Sequence, residues 1–191
     1  MSSIAEQTSQ LHPRLEELIE FLEVQRRGVH EAVASVPPSL RERKPAPDRW
    51  SVSEVLEHLS LIEQRVAAML TMRVATARAS GVGPDLDTSS VIASYANPGA
   101  VVDRTAKITA PPPAQPTGTM DSEAGTQALI QAHTAMVSAL RNANGVSLEQ
   151  LMQTHPVLGP LNLYHFVVAL GLHDQRHAAQ IREIGQLLAA T

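Results

Sequence analysis

The chain has 191 residues, 43% apolar and 18% charged, a size and composition that suit one globular domain, residues 1–191, and argue against wholesale disorder. A formal net charge of −4 and five aromatic residues, one Trp, two Tyr and two Phe, leave neither a basic footprint nor stacking platforms, so nucleic acid is not an expected partner. Cysteine is absent, which excludes disulfides, thiolate ligands and a thiol nucleophile of the chain's own.

Met1 to Gln10 is polar and carries no apolar stretch of the kind a secretory signal needs. The longest apolar run, Phe166 to Leu172, falls far short of the roughly 20 residues that span a bilayer. A cytoplasmic protein without membrane contact is the expectation.

In chain order, Leu15, Leu18, Ile19, Leu22 and Val29 recur at helical spacing and predict a first helix over about 11–36, closed by Pro37-Pro38. A second begins at Ser51. Ser51 and Glu54 form a capping-box pair, and Trp50 with Val55 has the spacing of a hydrophobic staple. Val55, Leu59, Ile62, Val66 and Met69 continue its stripe to about residue 79.

Residues 80–119 hold Gly81, Gly83, Pro84, Pro98, Gly99, Pro111, Pro112, Pro113, Pro116 and Gly118. They read as a long crossover with little helix, either a lid or a connection laid over the helices, with a short extended stretch at Val101-Val102 or Ile108. A third helix is expected over 122–142, from Leu129, Ile130, Met136, Val137 and Leu140 with Gly145 as its stop. Ser147 to Gln153 reads as a short helical turn. The last helix, 162–189, starts from Asn162 as N-cap and carries Phe166, Leu170, His173, His177, Ile181, Ile184 and Leu188 in one stripe. The pattern is all-α, with four helices.

Two histidines interrupt that last stripe. Spaced four apart, His173 and His177 put both imidazoles on one helix face, where they can share a metal ion. Spacing alone is a weak signal, but a core-facing position obliges each ring to find hydrogen bonds or a metal. His58, set between Val55 and Ile62, projects from the inner side of its own helix. Three inward histidines on two helices suffice for a facial site.

Glu54 is explained by the capping box, with a role in orienting His58 as the alternative. Asp174 reads as a solvated surface acid, with a role beside His177 as the alternative. His155 reads as structural, His165 lies off the stripe, and His12, His30 and His133 form no cluster. Met69 and Met136 read as core filler.

The segment Trp50-Ser51-Val52-Ser53-Glu54-Val55-Leu56-Glu57-His58-Leu59 resembles the second helix of DinB-like (damage-inducible DinB, YfiT-like) proteins. Thr154 to Leu163 and His173-Asp174-Gln175-Arg176-His177-Ala178-Ala179-Gln180-Ile181 are similar to the start and the body of that family's last helix. Asp174 departs from the Glu that often follows the first histidine there. The resemblance covers the helical frame from about Trp50 onward and leaves the crossover outside.

It implies an up-and-down four-helix bundle, often a homodimer, with zinc or nickel on His58, His173 and His177. It also implies a metal that activates a low-molecular-weight thiol for transfer to a small-molecule substrate. Hydrolysis at the same metal, and a non-catalytic bundle that binds metal or ligand in a stress response, are the two alternatives. No catalytic acid or base stands out from the sequence.

Overall fold

A computed structural model describes residues 10–105 and 108–190. Most of Met1 to Gln10, where a signal segment would lie, is outside the described residues, as are positions 106–107 of the crossover and 191. Four long helices build the frame: α1 (Pro13–Ala34), α2 (Val52–Ala79), α4 (Ser122–Asn142) and α5 (Leu163–Ala189). A fifth, short helix, α3 (Pro98–Val102), lies between α2 and α4.

Each long helix starts on a side-chain cap. His12 Nδ1 accepts from Arg14 N–H at α1, and Asp121 accepts from Ala124 N–H at α4. Asn162 accepts from His165 N–H at α5. At α2, Ser51 and Glu54 make the full reciprocal capping box. Such caps satisfy N–H groups that the helix cannot pair and contribute about 1 kcal/mol each.

Principal packing is α1 on α5 and α2 on α4, with a lesser contact between α2 and α5. The apolar interior forms two clusters. One holds Leu15, Leu22, Leu70, Met136 and Tyr164; the other holds Val29, Leu59, Leu129, Ile181 and Ile184. Between them in each long helix stands a polar residue: Arg26, Glu63, His133 and Asp174.

Arg26 Nη2 bridges Glu63 Oε2 at 2.6 Å and Asp174 Oδ2 at 2.9 Å, and Glu63 Oε1 accepts from His133 Nδ1 at 3.0 Å. A polar layer with one member from every long helix thus joins the four, with Arg26 Nε and Nη1 buried without hydrogen-bond partners. Asp174 is therefore no solvated surface acid, being 2% exposed, and His133 is part of a cluster.

Two further expectations are corrected. Val101-Val102 closes α3, started by Pro98 and capped by the Asn97 side chain on Ala100 N–H, where an extended stretch was expected. After a 3-10 turn at Leu148–Gln150, strands β1 (Met152–His155) and β2 (Gly159–Asn162) pair antiparallel, Met152 opposite Asn162. Gly159, at φ 77°, supplies the left-handed residue that brings the chain back. No helix among the described residues is long and apolar enough to cross a membrane.

Candidate metal centre

α2 and α5 bring His58, His173 and His177 together, each offering a ring nitrogen within 4.8 Å of the other two. His173 Nε2 is 3.3 Å from His58 Nε2 and 3.1 Å from His177 Nε2. Ligands at 2.0–2.1 Å around a tetrahedral zinc are separated by about 3.3 Å, so these spacings fit one ion.

Two of the rings are oriented from behind. His58 Nδ1–H donates to the Ala114 carbonyl at 2.6 Å, and His177 Nδ1–H donates to Gln180 Oε1 at 2.8 Å. With Nδ1 carrying the proton, each neutral ring presents its Nε2 lone pair to the centre. His173 Nδ1 is buried without a hydrogen-bond partner, so nothing orients this ring from behind, and its Nε2 faces those of the other two.

Burial lowers the pKa of all three rings from 6.5. For His58 the Ala114 hydrogen bond works against burial. His173 is pushed well below its ordinary value by burial and then by His177 and His58. His177 is lowered to about 3, first by burial and then by His58. The three are neutral at pH 7, the state in which imidazole binds metal.

The Ala114 carbonyl belongs to a strap of the crossover tied to α2. Glu57, 3% exposed, accepts from Thr117 N–H at 2.9 Å, Thr117 Oγ1–H at 2.7 Å and Gly118 N–H at 3.1 Å. Gly118, at φ 71°, leaves only 3.3 Å between a would-be Cβ and Glu54 Oε1. Glu54 itself is engaged by the capping box and by Lys44 Nζ at 2.7 Å, which accounts for its carboxylate without His58.

Beside the triad opens a cavity of ≈ 850 Å³. Trp50 lies at its edge, its ring 4.9 Å from His58 and 6.4 Å from His177, near-parallel to the latter. Crossover residues 108–111, including Ile108 and Pro111, supply part of the wall. His155 also lines it, yet its Nδ1 accepts from Val157 and Leu158 N–H in the hairpin turn, which accounts for it structurally.

His165 is outside the centre, bonded to Ser94 Oγ at 3.0 Å. Sequence reasoning missed Glu57, Ala114 and Gln180. Gln180, three residues after His177 on the same helix face, carried a readable signal. Ala114 carried none, because its backbone carbonyl does the work.

An inward triad of histidines beside a cavity defines a class: a helical protein with a side-chain cluster that could hold a metal ion. The sequence model of the DinB superfamily matches residues 5–181, and the chain belongs to that superfamily. The uncharacterized protein YuaE of Bacillus subtilis (strain 168) is 28% identical over 145 residues, covering 74% of this chain and 81% of its own length. No solved structure matches the chain.

Proposed function

We propose that this protein is a metal-dependent transferase that delivers a low-molecular-weight thiol to an electrophilic small molecule, with one zinc or nickel ion on His58, His173 and His177. In this reading the long helices form an up-and-down four-helix bundle that carries the site. The observation that supports it best is the convergence of three neutral imidazoles on the wall of an ≈ 850 Å³ cavity.

Three protein ligands leave a divalent ion at least one open position, the arrangement of catalytic sites, whereas structural sites are usually closed by four. When bound, such an ion supplies Lewis acidity that lowers the pKa of a thiol or water at that position. The chain's own residues bind and orient. Ala114 and Gln180 fix two ring tautomers, Glu57 holds the strap, and Trp50 with the crossover shields the rings from water.

The chain brings no thiol, so the nucleophile enters as a co-substrate. Its sulfur, acidic enough to release its proton to solvent water without a protein base, forms the new bond to carbon while the leaving group departs with its electron pair. Hydrolysis is the weaker reading because it needs a general base. Glu54 is engaged by its cap and Lys44, and Asp174 by Arg26.

The test is transfer of glutathione, cysteine and coenzyme A to a fluorogenic alkyl halide by metal-loaded and metal-free protein. Turnover by the loaded form alone, lost in His177→Ala, is expected. Equal rates with and without metal for every thiol would refute the reading.

A further inference from the structure

From the three histidines, two helices lead into the same apolar wall. On α2, Ile62 and Val66 follow His58 in steps of four, which keeps them on its face of the helix. On α5, Leu170 and Phe166 come before His173 on the stripe that carries both histidines. All four line the cavity, and all belong to or pack against the apolar cluster around Leu70, Met136 and Tyr164. This end of the cavity is therefore backed by the core. At a rise of 1.5 Å per residue, Phe166 lies about 10 Å from His173 and Val66 about 12 Å from His58.

The hairpin turn adds Val157 to the wall, an apolar side chain left 56% exposed. His155, whose ring is 5.3 Å from that of Phe166, has its pKa lowered from 6.5 by burial and is neutral at pH 7. Beyond His177 the surroundings are charged, but the charges balance within the protein. Arg49 and Arg104 ion-pair with Glu183. Arg176 donates to the Val101 and Asp103 carbonyls and interacts with the Asp103 carboxylate, and Asp48 is also engaged. One end thus offers no net charge to a ligand, while the other offers apolar area.

We propose that the substrate of this site carries an uncharged hydrocarbon group of about six to eight carbons, held between Ile62 and Val66 of α2 and Leu170 and Phe166 of α5, with its reacting end at the three histidines. The length follows from the wall: with C–C bonds of about 1.5 Å, an extended chain advances about 1.25 Å per carbon. The position of the reacting end rests on the metal-dependent reading above; the hydrocarbon subsite does not.

The test is calorimetric titration of n-alkanols, butanol to decanol, into the full chain, metal-free and zinc-loaded. Affinity is expected to rise about fourfold per added methylene and to level off near octanol in both forms. The diol 1,8-octanediol, whose second hydroxyl would be buried among apolar side chains, should bind about tenfold more weakly than octanol.

Two variants locate the subsite. Ala169→Phe, on the cavity wall beside Leu170, should make the affinity level off two or more carbons earlier. Ile62 is only partly buried, so Ile62→Gln provides a variant with less demand on folding, expected to lower octanol affinity about tenfold. Affinity independent of chain length, equal binding of octanol and the diol, or octanol binding unchanged in both variants overturns the subsite. Zinc uptake without a chain-length dependence refutes the subsite and leaves the metal reading standing. A chain-length dependence in protein that takes up no zinc does the reverse.

Discussion

Glu57→Gln loosens the strap without emptying its anchor. The carboxylate accepts three hydrogen bonds, two at Oε1 from Thr117 and one at Oε2 from Gly118. An amide of the same volume has one acceptor oxygen, so at least one donor loses its partner and the others lose a charged acceptor. A hydrogen bond to a charged group contributes about 1.5–3 kcal/mol, and the strap should open more easily by that amount. Three residues upstream, Ala114 then holds His58 Nδ1–H less firmly.

Loss of such an outer partner typically lowers metal affinity about 10–100-fold, the range expected for zinc. Competition against a chromophoric chelator gives the affinity, and hydrogen exchange at the amides of residues 114–118 gives the state of the strap. Faster exchange with affinity within about twofold of wild type would refute the claim that the strap orients His58. Unchanged exchange would refute the claim that Glu57 holds the strap.

Arg26→Met leaves Glu63 and Asp174, 1% and 2% exposed, without their shared cation, and is expected to cost about 3–5 kcal/mol in urea unfolding above pH 7. Burial, followed in the opposite sense by Arg26, sets the Asp174 pKa at about 7, so Asp174→Asn in the same background should recover part of that loss; a loss below about 1 kcal/mol would show that the layer is not held by charge. Acidification should destabilise the metal-free protein. The triad histidines have folded pKa values below 6.5, so the unfolded chain binds more protons and the stability present above pH 6.5 is lost as pH falls. Asp174, with its raised folded value, works in the opposite sense between 3.8 and about 7, so thermal unfolding of His177→Gln, which lacks the proton site, should show a shallower fall than wild type; an equal slope would refute the assignment.

The long helices were legible because each carries a repeated apolar stripe, and two of them a readable N-terminal cap, both of which are short-range signals. Ser51 with Glu54, and Asn162, mark starts that the structure places within a residue of expectation. The triad was legible because histidines in an apolar stripe must face inward, and two of them share a turn. Asp174 was misread because its partners come from other helices: Arg26 is far away in sequence, and no local pattern links them.

The hairpin escaped for a different reason. Its strands are four residues each, one contains Pro160, and their residues do not alternate clearly between apolar and polar. In α3, five residues ending in two valines are too few to show a helical period; Pro98 and the Asn97 cap decide the conformation. Arg49 and Arg104 meet at Glu183 of α5, a pairing across distant parts of the chain that no local pattern announces.

The most direct measurement is elemental analysis of untagged protein purified without chelator, beside His173→Ala and His177→Ala. About one equivalent of zinc or nickel in wild type, absent from both variants, is the predicted result for a three-histidine centre. Wild-type protein that carries no metal and takes up none on titration would contradict it.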